Sequence, residues 1–169
     1  MLCFIGAVVG YFTKEVIDQR RADDAEKDRI LAQVSQTGWL RLYWLDQRIR
    51  LDDPKNTLSS PEVNLVRVEY RKSVATWNEM LMTNIYYLKK DFPAPFACSF
   101  EYKLADEFRR LHSELLKYEG SPKNLDRLEE MERDVDVLRF SFYHFIADRR
   151  PFFVDQVGFE AAGPSHREY

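Results

Sequence analysis

Residues 59–88 read SSPEVNLVRVEYRKSVATWNEMLMTNIYYL, and their periodicity decides the fold. Val63, Val66, Tyr70, Val74, Trp77, Leu81, Ile85 and Leu88 recur at steps of three and four, the spacing that lines one face of a helix. The start is signalled too. Ser59 or Ser60 can accept a bond from a free backbone amide, Pro61 has no donor to leave unpaired, and Glu62 suits the positive helix end. Phe92-Pro-Ala-Pro95 stops it. A helix this long with a single apolar stripe needs partners to cover that stripe.

The partners lie on both sides of it. Upstream, Leu31, Val34, Gly38, Leu42, Leu45 and Ile49 form one stripe, broadened by Trp39, Tyr43 and Trp44 and ended by Asp52-Asp-Pro54. Downstream, Phe100, Leu104, Phe108, Leu111, Leu115 and Tyr118 form a third, with Gly120 as its stop. Leu125, Leu128, Met131, Val135, Leu138, Phe142 and Phe145 form a fourth, closed by Arg149, Arg150 and Pro151. Four such helices joined by short loops predict an all-α, up-and-down four-helix bundle over residues 30–150. The segment 151–169 reads as a tail that docks through Phe152, Phe153 and Val154 and then frays, or that packs on a neighbouring subunit.

The first residues are of another kind. Met1 to Phe12 carry no charge, Lys14 and Glu15 follow, and residues 18–29 are mostly charged. Residues 1–17 are therefore expected to form a transmembrane or apolar anchor helix and 18–29 a charged stalk. As a helix the anchor is about 25 Å long against a hydrocarbon core of about 30 Å. Arg20 and Arg21 place the N-terminus outside and the bundle in the cytoplasm. Gly6, Ala7 and Gly10 make a small face suited to close helix contact, so a homo-oligomer in contact with membrane lipid is expected, a ring or pore being its sharper form.

Composition narrows the function classes. The chain has 169 residues, 45% of them hydrophobic and 31% charged, a globular balance. A net charge of -3 weighs against broad nucleic-acid binding. Cys3 and Cys98 make no disulfide framework, which suits a reducing compartment. No phosphate-cradling glycine loop is present, and the three histidines, His112, His144 and His166, fall in no metal-ligand spacing. Neither a cofactor nor a metal is expected, and the leading function is a membrane-anchored interaction scaffold with a protein partner and no enzymatic activity.

One pair of residues offers chemistry. Arg139-Phe-Ser-Phe-Tyr-His144 is an R-x4-H on the last long helix. It resembles the signature of the HEPN superfamily, all-α domains that often dimerise and, when active, cleave RNA. With the N-terminal apolar run, the chain also looks like the membrane-associated accessory proteins of type VI-B CRISPR systems. The resemblance implies an alternative function, a metal-independent ribonuclease or its silent descendant in antiviral defence, and only then nucleic acid as a partner. His144 would move a proton at the ribose hydroxyl or leaving oxygen, and Arg139 would stabilise charge on the phosphorane.

Overall fold

The computed structural model describes residues 2–53, 55–118 and 125–152, residues 2–14 by their helical backbone alone. All its regular structure is helical. Helix α1 spans Leu2–Arg50, α2 Ser60–Asp91, α3 Ala94–Ser99, α4 Ala105–Tyr118 and α5 Leu125–Ala147, and a π-helical turn at Phe100–Leu104 joins α3 to α4. At the start and stop of α2 the local chemistry is visible. The Ser59 N–H donates to the Glu62 carboxylate at 2.8 Å, Pro61 sits in the first turn, and Phe92 before Pro93 turns extended to end α2.

Side-chain contacts fix the topology. Gln33 donates to Asn84 at 2.8 Å and Arg41 lies over Tyr70, so α1 and α2 run antiparallel. Tyr70 meets His112 and Trp77 meets Phe108, which sets α4 antiparallel to α2. Arg110 pairs with Asp134 and Arg127 with Glu114, which reverses α5 against α4. Asp28 pairs with Arg149 and Asp46 with Arg139, which closes the ring from α5 back to α1. The expected up-and-down four-helix bundle is the observed one, with α3, the π turn and α4 acting together as its third member.

The four stripes fill the core almost residue for residue. Leu42, Leu45, Leu88, Phe100, Leu104, Leu111, Met131, Val135 and Phe142 are completely inaccessible to solvent. Phe145 stacks on Phe96 at 4.1 Å, and Trp77 packs on Phe108 at 4.7 Å. In the π turn the Ala105 amide reaches back five residues to the Phe100 carbonyl. That extra residue lets Leu104 and Ala105, neighbours in sequence, both face the core. Tyr43 and Leu125 depart from expectation: both are about half exposed, because their helix faces meet no neighbouring helix.

The anchor is corrected by the structure. Among the described residues no helix is long and apolar enough to cross a membrane. The physical reason is charge placement: the uncharged run ends at Thr13, and Lys14, Glu15, Asp18, Arg20 and Arg21 follow within the same unbroken helix. Thirteen residues reach only about 20 Å, short of a hydrocarbon core of about 30 Å. With the anchor go membrane lipid as a partner, the N-terminus-out orientation with a cytoplasmic bundle, and the ring or pore built on it. The side chains of Ala7 and the surroundings of Gly6 and Gly10 lie outside the described residues. From residue 15 to residue 25 every side chain of α1 faces solvent, and burial begins at Ile30.

Candidate functional site: a cationic cleft

Charge placement on the bundle is uneven. Many arginines sit beside a carboxylate one turn away on their own helix: Arg29 with Glu26, Arg109 with Asp106, Arg110 with Glu107. Such exposed pairs stabilise by at most about 1 kcal/mol and leave no net charge behind. The exception lies where the end of α1 meets α2 and α4. There, among the described residues, a cleft of about 420 Å³ is lined by Arg48, Arg67, Arg71, Tyr70, His112, Leu116 and one carboxylate, Asp52.

Each helix supplies a different part. From α1 comes Arg48, only 2% exposed, whose Nη1 donates to Asp52 at 2.9 Å. From α2 come Arg67 and Arg71, one turn apart and exposed, neither forming an ion pair among the described residues. Between them Tyr70 turns inward, 5% exposed, with its hydroxyl 2.6 Å from His112 Nδ1 on α4. Leu116, one turn beyond His112, is 54% exposed and forms an apolar wall.

A second buried arginine lies against Tyr70. Arg41 is 3% exposed, and its guanidinium stands 5.3 Å from the Tyr70 ring centre and 5.7 Å from that of Phe108. Its Nε and Nη1 find no hydrogen-bond acceptor among the described residues. Burial pushes its pKa down, and the neighbouring Tyr70 only partly offsets that. Cation–π contact recovers about 0.5–2 kcal/mol, less than the several kcal/mol that desolvating a charge costs. Against the ring of Tyr70, which lines the cleft, the guanidinium thus adds positive potential with no ion pair of its own among the described residues.

The motif residues are held elsewhere. Arg139 bonds Asp136 at 2.6 Å and lies 3.6 Å from Asp46 across the seam with α1. His144 Nδ1 is 2.7 Å from Asp148, with the rings of Phe140 and Tyr143 edge-on to it at 4.4 and 5.4 Å. Each is engaged by its own carboxylate, and neither lines the cleft. Among the described residues no group of three or more His, Cys, Asp or Glu could hold a metal ion.

The sequence reading missed the cleft but contained a sign of it. Val34, Arg41 and Arg48 are seven residues apart, so both arginines fall in phase with a buried position of α1. A charged residue in core phase announces either a buried pair or a polar site. Along α1 and the turn after it the charges cancel, for Asp46, Asp52 and Asp53 flank Arg48 and Arg50, and Arg50 pairs with Asp46 and Arg48 with Asp52. Arg67 and Arg71, brought in from α2, tip the balance to positive.

No family model matches the chain, and no curated protein or solved structure matches it either. The HEPN-like resemblance therefore rests on the Arg139–His144 spacing and the N-terminal apolar run alone, and no finding supports the ribonuclease or the CRISPR-accessory role in antiviral defence. The membrane-anchored scaffold falls with its anchor.

Proposed function

We propose that the protein is a helical ligand-binding module whose cleft captures a phosphate-bearing small molecule. One observation carries this reading: three arginines, one of them paired with Asp52, and a Tyr–His pair converge on one cleft with a single carboxylate among the described residues, in a chain of net charge -3. The local excess runs against the global balance, so it is not a by-product of a basic composition. Arginine forks match phosphate oxygens two at a time, and a buried floor strengthens the attraction by excluding water. Tyr70 and His112 supply further polar groups at fixed positions.

Calorimetric titration with inorganic pyrophosphate tests the reading. Arg67→Ala and Arg71→Ala should each weaken binding about tenfold, the equivalent of one charge-assisted hydrogen bond. Both side chains are exposed, so the melting temperature should hold. Arg109→Ala, outside the cleft, should change nothing. Absence of saturable heat in the wild type, or equal binding by the Arg67→Ala/Arg71→Ala double variant, sinks the proposal.

A further inference from the structure

The two sides of the cleft differ in chemistry, and that difference speaks to the body of the ligand. This inference rests on the phosphate reading above. On the α2 side stand Arg67 and Arg71, cationic and solvent-facing. On the α4 side stand His112 and Leu116, one helical turn apart and therefore neighbours on one face. An imidazole followed by a leucine gives a wall that is flat at one end and aliphatic at the other. Leu116 has more than half its surface in water and lines the cleft, so a ligand seated there would cover it.

A bare phosphate or pyrophosphate would use the arginine side and leave this wall wet. A sugar phosphate would do the same, because its hydroxyls gain nothing from leucine. A planar ring would use it: one face against the His112 imidazole, its edge against Leu116. The volume of about 420 Å³ exceeds what a phosphate alone fills and lies within the range of small-molecule sites.

We infer that the cleft is built for a phosphate monoester carrying an aromatic ring, of the nucleoside monophosphate class, with phosphate on Arg67 and Arg71 and the ring on His112 and Leu116. Among the described residues Asp52 is the one carboxylate lining the cleft; it accepts from Arg48 at 2.9 Å, and its remaining lone pairs suit a hydroxyl or amine donor on the ligand. Aromatic stacking and burial of the leucine surface each add to binding without needing further charge.

Titration with three probes separates the claims: AMP, ribose 5-phosphate and uncharged adenosine, each on the full chain. AMP should bind at least tenfold tighter than ribose 5-phosphate. Leu116→Ser should erase most of that preference while leaving ribose 5-phosphate affinity unchanged. Leu116 is exposed, so the variant should fold, and an unchanged melting curve confirms it. Equal affinities for AMP and ribose 5-phosphate overturn the ring inference and leave the phosphate reading standing. A preference that survives Leu116→Ser also overturns it. Adenosine binding as tightly as AMP, or no binding by any probe, removes both.

Discussion

Arg41 is the residue at which stability and the proposed function pull apart. Its guanidinium is desolvated between two rings, with two nitrogens lacking acceptors among the described residues. Replacing a buried charge by an apolar side chain of similar length is often neutral or stabilising. Arg41→Met should therefore raise stability by about 1 kcal/mol, a rise in melting temperature of about 2–4 °C for a chain this size. The same change should weaken pyrophosphate binding, since it removes positive potential behind Tyr70. Thermal denaturation followed by circular dichroism, with the titration beside it, checks both; a lower melting temperature would mean that the guanidinium is compensated after all. At this scale the sequence was only partly legible. Gly38, Leu42 and Leu45 show themselves as core by spacing. The partners of Arg41 come from residues about thirty and seventy positions away, and no local pattern carries that pairing.

Among the elements, the seam between α1 and α5 depends on a missing side chain. A Cβ placed on Gly38 would lie 2.2 Å from Cζ of Phe142, with Cε1 and Cε2 also inside 3.0 Å. Glycine within a helix costs about 1 kcal/mol relative to alanine, so Gly38→Ala ought to help an isolated α1. In the bundle the clash should win. Phe142 is fully buried, edge-on to Trp39 at 5.2 Å and near Phe145, so its ring has little room to yield. We expect Gly38→Ala to destabilise by about 1–3 kcal/mol, as overpacking does. Gly38→Ala/Phe142→Leu should recover part of the loss, and urea denaturation of the set measures it; no loss in the single variant would show that the helices can separate at no cost. Helix existence and burial phase were readable because each stripe is local in sequence. Phe96, Phe100, Leu104 and Phe108, three successive steps of four, even carry the trace of the over-wide turn. The continuity of α1 was less legible. Its charge pattern suggests three segments, yet no proline interrupts residues 2–50, and charge alone does not break a helix.

For the whole molecule, the return of the chain after α5 decides how the bundle is closed at one end. Past Ala147 the backbone turns through Arg149, whose φ of 52° places it in the left-handed region, and Arg149 pairs with Asp28 on α1. The chain then delivers Phe152 into the core at 1% exposure, and the Phe152 amide donates to Ser99 Oγ at 2.7 Å. Ser99 Oγ in turn donates to the Phe96 carbonyl at 2.7 Å. One serine thus ties α3 to the segment after α5, between the ring stack of Phe96 on Phe145 and the turn beyond it. Phe152→Ala should cost about 3–5 kcal/mol through lost burial and the cavity left behind. Ser99→Ala should cost about 1–3 kcal/mol, because the buried Phe152 amide loses its acceptor. If the tether acts as a unit, the double variant will lose clearly less than the two singles added together, since the amide needs no acceptor once the segment has let go. Denaturant midpoints for the four proteins give the coupling directly. Strict additivity would mean that Phe152 stays seated without its hydrogen bond, and that packing alone closes this end of the bundle.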